Sequence, residues 1–413
     1  MHPIVEDARI VKAGDPGPDK MKEVSWSFFV SRYLPELAVL SVILLLQAIG
    51  IWWILEGPAA HARRWIRRAI LLCGAASFAI EGFGLLVRFH RVARHFPAWL
   101  PGWGRGLVMS WALLSLFSLL AFALAHALPR IRPEHSAARR NFLRTARVAL
   151  LGAPAAAIGY GVFIERRSVT LREETIDVPG LPADLHGLKL VQLTDIHLSP
   201  FLSQRELDYA VSLANETQAH VALVTGDLIT SGDDPLDLCL ERLARLRASA
   251  GIFGCLGNHE VYAGVENYTE EQGARLGLHF LRGASEPLRF GNATLNLAGV
   301  DYQPFRAPYL VGAEKLLRPD AFNVLLSHNP DVFPVAARQG FDLTIAGHTH
   351  GGQVRVEILH QDLNIARFFT PYVDGIYRQG SSSIFVSRGI GTIGLPARLG
   401  AAPEVALLRL CRT

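Results

Sequence analysis

The chain has 413 residues and a formal net charge of +4; half of its residues are hydrophobic and only 19% are charged. So small a charge, carried by arginines beside apolar runs, argues against a nucleic-acid footprint. The four cysteines, Cys73, Cys239, Cys255 and Cys411, have neither knuckle nor redox spacing, which argues against a disulfide framework.

Residues 1–33 include Gly14-Asp15-Pro16-Gly17-Pro18 and little apolar pattern, and are expected to form a flexible tail. Residues 34–165 carry apolar runs at 37–55, 69–87, 107–128 and, shorter and richer in Ala and Gly, 148–164. Since about 20 apolar residues cross the hydrocarbon core, these predict a membrane domain of about four transmembrane helices. The loops at 57–68 and 129–147 are both arginine-rich and share a side of the bilayer, although basic residues on the other side nearly balance them. Arg139-Arg140-Asn141-Phe142-Leu143-Arg144 resembles a twin-arginine export motif, and a plain basic loop is the alternative. Both readings put that loop in the cytoplasm. They predict a multi-pass protein of a bacterial inner membrane whose C-terminal domain is extracytoplasmic. Glu81, inside a span, could mark a polar pathway offset by Arg88, but a simple anchor is the plainer reading. Residues 166–184 are expected to be a linker.

From 185 to 413 the composition becomes that of a globular α/β domain. Five short apolar runs end in polar residues. They are 189–194 before Asp195-Ile196-His197, 221–225 before Gly226-Asp227, and 252–256 before Gly257-Asn258-His259-Glu260, then 324–327 before His328-Asn329-Pro330 and 343–346 before Gly347-His348-Thr349-His350-Gly351-Gly352. Such runs read as buried strands. Between them lie helical patterns, one opened by the capping box Ser203-Gln204-Arg205-Glu206 and one by Asp234-Pro235. Strand–helix alternation implies a largely parallel sheet, whose ligands bind at the carboxyl ends of its strands. All five polar endings are therefore expected at one edge. Short alternating strands at 294–300, 353–358, 383–387 and 405–410 suggest a second sheet, giving a two-sheet sandwich with helices outside, preceded by the α-helical transmembrane region.

The converging set is Asp195, His197, Asp227, Asn258, His259, His328, His348 and His350. Carboxylates, imidazoles and one amide suit manganese foremost, with iron or zinc as alternatives. Without His259, seven ligands remain, which gives two metals four each if Asp227 bridges. Two divalent ions about 3.5–4 Å apart suit phosphoester hydrolysis, clamping the phosphoryl group and holding a hydroxide for in-line attack. His259 can then protonate the leaving oxygen as general acid, with Glu260 orienting it or merely capping a turn. Arg388 and Arg398 could contact substrate phosphate or serve structure.

These motifs, in this order, resemble the calcineurin-like metallophosphoesterase superfamily over residues 185–413. Asp195 to Ser199, Ser327 to Asp331 and His350 to Gln353 resemble its bacterial branch with membrane anchors or twin-arginine signals. The resemblance implies one metal held by Asp195, His197, Asp227 and His350, and another by Asp227, Asn258, His328 and His348. His259 matches the family's catalytic histidine. The activity implied is that of a membrane-anchored phosphoesterase acting on a phosphodiester or pyrophosphate, with a lipid-linked substrate suggested by the anchor. The alternatives are a UDP-2,3-diacylglucosamine-type pyrophosphatase and a non-catalytic metal-binding scaffold, which would be expected to have lost His259.

Overall fold

The computed structural model describes residues 26–413 apart from 87–95, 97–98, 130–135, 305–307 and 359–360. Most of the expected tail, and Arg88, lie outside the described residues.

Four helices come first: α1 (Trp26–Glu56), α2 (Arg64–Leu86), α3 (Trp99–Ala127) and α4 (Ala137–Phe163). The third is central and touches the other three. Leu40 and Ile43 of α1 interlock with Ala112 of α3. Glu81 is buried, and its carboxylate accepts from Gln47 Nε2 at 2.6 Å, while the same amide reaches Ser115 Oγ at 2.5 Å. The acid in α2 is thus partnered inside the bundle. Among the described residues two helical segments, Gly106–Ala127 and Ala137–Arg167, are long and apolar enough to cross a membrane, and Leu40–Glu56 is a shorter apolar helix. The expected span at 69–87 runs into residues outside those described. The arginine-pair motif forms the first turns of α4, which is capped by Ser136.

The rest of the chain forms two mixed six-stranded sheets packed face to face. The strands of the first are β1 (Thr170–Val178), β2 (Lys189–Leu193), β3 (Val221–Thr225), β4 (Ile252–Cys255), β5 (Leu278–Phe280) and β14 (Glu404–Arg412), in the order β1-β14-β2-β3-β4-β5. The second comprises β6 (Ala284–Phe290), β7 (Ala293–Gly299), β8 (Phe322–Leu326), β9 (Leu343–Ala346), β12 (Gly375–Gln379) and β13 (Ser382–Val386), in the order β12-β13-β9-β8-β7-β6. Strands β2 to β5 are mutually parallel, as are β7, β8, β9 and β13. Their inner faces share one core that includes Leu190, Leu223, Phe253, Val324, Ile345 and Phe385. Burial of such apolar area is the dominant favourable term in folding. The outer face of the first sheet is covered by α5 (Gln204–Glu216) and α6 (Leu236–Leu243), through Leu207, Val211, Leu240 and Leu243. The capping box of α5 is present, with Ser203 N donating to Glu206 Oε2 at 2.7 Å.

Several expectations are corrected. The five motif-bearing strands are divided between the sheets, three in the first and two in the second. Residues 405–410 belong to β14, which inserts into the first sheet between β1 and β2, and 353–358 contributes β10 (Arg355–Ile358) to a separate hairpin with β11 (Gln361–Asn364). The expected linker contains β1, an edge strand exposed at Thr170, Leu171, Glu173 and Thr175, whose charged residues break up the apolar pattern and so hide its strand character. Asp234 does not cap α6; its carboxylate accepts from the backbone of Thr230 and Ser231, closing the loop ahead of the helix.

Candidate metal centre

Parallel packing within each sheet, and the stacking of one sheet on the other, bring the carboxyl ends of β2, β3, β4, β8 and β9 to one rim. Backbone bonds lace the loops together: Asp195 N donates to Gly226 O at 3.1 Å and His197 N to Asp227 O at 3.0 Å. The two sheets are joined at the site itself, where His348 N donates to both carboxylate oxygens of Asp195 at 3.0 Å. The turns are tight enough that Asp195, His197, Asp227, His348 and His350 all have positive φ, from 47° to 75°. Such backbone costs of order 1–3 kcal/mol per residue and clusters at functional sites.

Asp227 lies at the centre. Its Oδ2 is 3.4 Å from His197 Nε2 and 3.1 Å from His328 Nε2. His350 Nε2 is 3.2 Å from His197 Nε2 and 3.3 Å from Asp195 Oδ1. Two ligand-like groups result, Asp195 with His197, Asp227 and His350, and Asp227 with His328 and His348, each with donor atoms within 4.8 Å of one another. His328 Nε2 faces the Asp227 carboxylate, and Asn258 Oδ1 is buried and makes no hydrogen bond. Buried polar atoms are rarely left so, and oxygen and imidazole donors aimed into one space fit a divalent cation. The residues present therefore fit a pair of metals sharing Asp227.

The supporting groups fix the rings. His328 Nδ1 is held by Thr225 O at 2.7 Å, which turns Nε2 toward Asp227, and His197 Nδ1 lies 3.3 Å from Thr230 Oγ1. Burial pushes His197 down to about 3, helped by His259, and His348 down to about 3, helped by His328; His350 is also held well below its usual range by burial. Burial would lower His328 too, but the Asp227 carboxylate overrides it and raises the ring to about 10. Burial lifts Asp195 to about 6. It acts the same way on Asp227, yet His328 and His259 outweigh it and hold that carboxyl well below the usual range.

His259 stands beside this cluster. Its backbone N–H donates to Asp227 Oδ1 at 2.9 Å, its Nδ1 meets Thr230 O at 2.7 Å, and its ring is 4.7 Å from that of His197. Glu260 is fully buried and takes three backbone donors, Asp227 N at 3.0 Å, Leu228 N at 2.7 Å and Gly257 N at 2.8 Å. It clamps the β3 and β4 loops, and these bonds do not go to the His259 ring. Arg398 departs from the expected phosphate contact. It is fully buried, and its guanidinium donates to the carbonyls of His350, Arg388, Gly389, Gly391 and Ala401. Arg388 is partly buried, with Nε 3.0 Å from Asp374 Oδ2.

Two contributors carry no motif. Thr230 supports both His197 and His259. Tyr302, just past β7, places its ring 5.8 Å from His348 and 6.3 Å from His328 and shares a hydrogen bond with Tyr262, whose ring is 5.6 Å from His259. The one available signal was that β7 also ends in polar residues, Asp301-Tyr302-Gln303.

Residues 188–352 match the family described as calcineurin-like phosphoesterase. The phosphodiesterase YaeI of Escherichia coli is 31% identical over 242 residues, covering 54% of this chain and 82% of that protein. The chain belongs to the calcineurin-like phosphoesterase family. The metallophosphoesterase YkuE of Bacillus subtilis is 29% identical over 282 residues, 67% of this chain and 98% of that one. A transmembrane protein with a metallophosphoesterase domain from Danio rerio is 28% identical over 332 residues, 75% of this chain and 73% of that one. As a calcineurin-like phosphoesterase the chain is a metal-dependent phosphoester hydrolase, and its two mixed sheets flanked by helices, preceded by apolar helices, are the corresponding architecture.

Proposed function

We propose a membrane-anchored dimetal phosphoesterase that cleaves phosphodiester or pyrophosphate bonds, with manganese as the foremost metal. The observation that carries this reading is Asp227, set between two groups of donors, Asp195, His197 and His350 on one side and His328 and His348 on the other, with Asn258 Oδ1 buried and without a hydrogen bond. Asp195, His197, Asp227 and His350 would hold one cation, and Asp227, Asn258, His328 and His348 the other. Two divalent cations supply Lewis acidity toward the phosphoryl oxygens and activate water.

The chain's own residues do the rest. Thr230 O takes the Nδ1 proton of His259, which fixes the ring and leaves Nε2 to deliver a proton to the leaving oxygen. Glu260 fixes the loop bearing Asp227, so its role is positioning. Arg398 fixes the carbonyl of His350 and is likewise a positioning residue. Arg388, next to Gly351 and less buried, is retained as a phosphate contact, and Tyr302 with Tyr262 forms an aromatic rim against the leaving group.

The name of the Escherichia coli relative supports a diester substrate, and that of the Danio rerio relative supports a membrane setting. In this reading α3 and α4 cross the bilayer together with α1 and α2, 185–413 is the catalytic domain, and the latter lies outside the cytoplasm against lipid-linked phosphoesters. The test uses the full chain with Mn²⁺ on bis-p-nitrophenyl phosphate, p-nitrophenyl phosphate and UDP-2,3-diacylglucosamine. His259→Ala should lower kcat by about 10²–10⁴ while two equivalents of metal remain bound. A chelator-indifferent enzyme, or a His259→Ala variant of full activity, would overturn the assignment. Accessibility of an engineered surface cysteine in intact cells tests the orientation.

A further inference from the structure

A cleft of about 300 Å³ lies between α3 and α4, and its remaining wall comes from the phosphoesterase domain instead of another helix. Phe117, Leu120 and Leu124 line it from α3, Ala157 from α4, and Ala397 and Leu399 close it. No polar or charged side chain contributes. A wholly apolar space of this size offers a phosphate or nucleotide no partner and excludes ordered water, yet it is as large as small ligand sites.

Its shape and outlook narrow the occupant. The lining runs from Leu113 to Leu124, and at ~1.5 Å per residue α3 advances about 17 Å over that stretch. The space is therefore a slot along the helices. Phe117, Leu120 and Leu124 remain 45%, 55% and 50% exposed, so the slot opens sideways, where bilayer hydrocarbon would lie. At its closed end Ala397 and Leu399 flank Arg398, whose backbone N donates to Gly161 O of α4 at 3.2 Å and whose side chain reaches the carbonyl of His350 at 3.3 Å. The slot thus ends one side chain away from the metal centre.

We propose that this slot receives one acyl chain of a membrane lipid. The inference rests on α3 and α4 lying in the bilayer and not on which bond the enzyme cleaves. The full chain is reconstituted in phosphatidylcholine nanodiscs doped with a phosphatidylcholine bearing a diazirine midway along one acyl chain, irradiated, and mapped by peptide mass spectrometry. The peptide around Ala397 and Leu399 should be labelled. In Ala157→Trp that labelling should fall by about tenfold, while labelling at Leu71 and Leu72, exposed on α2, stays unchanged. Should Ala157→Trp fail to fold, the wild type is titrated with unlabelled oleate, which should suppress the slot label and spare the α2 label. Equal slot labelling in the two proteins, a parallel decline at both places with oleate, or labelling confined to outward faces would overturn the proposal. None of these readouts depends on hydrolysis.

Discussion

Glu260 gives the most direct test of how the site is held. Its carboxylate is fully buried and accepts from Asp227, Leu228 and Gly257, with Oε2 serving two of these donors and Oε1 the third. Glu260→Ala orphans all three; at about 1–3 kcal/mol for each buried unsatisfied donor the cost is roughly 3–9 kcal/mol, a large share of the ~5–15 kcal/mol that holds an ordinary domain together. Glu260→Gln is graded. An amide oxygen at the Oε2 position still serves Asp227 and Gly257, and its NH₂ then faces the Leu228 N–H, so about 1–3 kcal/mol is lost. Because the clamp holds the Asp227 loop, apparent metal affinity or kcat/KM should drop by about 10–100-fold in Glu260→Gln, as for other groups that orient a ligand. The assay pairs urea or thermal unfolding of the metal-free protein with metal titration and turnover of bis-p-nitrophenyl phosphate. Wild-type stability in Glu260→Ala, or unchanged metal affinity together with unchanged kcat/KM in Glu260→Gln, would refute the clamp.

Three further outcomes follow from the same geometry. Asp227→Asn should reduce turnover more than the ~10–100-fold of a supporting group and lower bound metal below two equivalents by elemental analysis; two equivalents retained would contradict the shared carboxylate. Metal uptake at pH 7.5 should release protons. His328, raised to about 10 without metal, is protonated there and must become neutral to ligate, whereas His197 and His348, lowered to about 3, are already neutral. Titration calorimetry in buffers of different ionisation enthalpy reads that release directly, and buffer-independent heats would exclude it. Gly257→Ala should impair the site without touching a proposed ligand side chain, because a Cβ there would lie 2.2 Å from Asp227 Oδ1 and 2.6 Å from its backbone nitrogen; metal content and activity should fall together, and full activity would show that the β3 and β4 loops need not approach so closely.

Much of the centre was legible as local pattern. Asp195, His197, Asp227, Asn258, His328, His348 and His350 each follow an apolar run, and a strand that ends in polar residues marks its own carboxyl edge. The capping box of α5 was equally plain, because both partners lie three residues apart. Charge patterning hid β1: an edge strand with one face in solvent needs only part of its residues to be apolar. Arg398 shows the opposite failure. In sequence it is an arginine beside a glycine-rich loop, indistinguishable from a phosphate contact; burial under α4 and the His350 turn makes it a structural ligand of backbone carbonyls.

The chain's sequence by itself determined which residue types punctuate its strands and therefore which chemistry they can perform, because period and end-residue chemistry are local properties. Only the tertiary structure decided that these strands are shared between two sheets, that β14 returns from the far end of the chain to sit between β1 and β2, and that Tyr302 and Thr230 join the site. Those outcomes depend on which apolar faces bury one another across long sequence separations, and a one-dimensional pattern specifies each face without naming its partner.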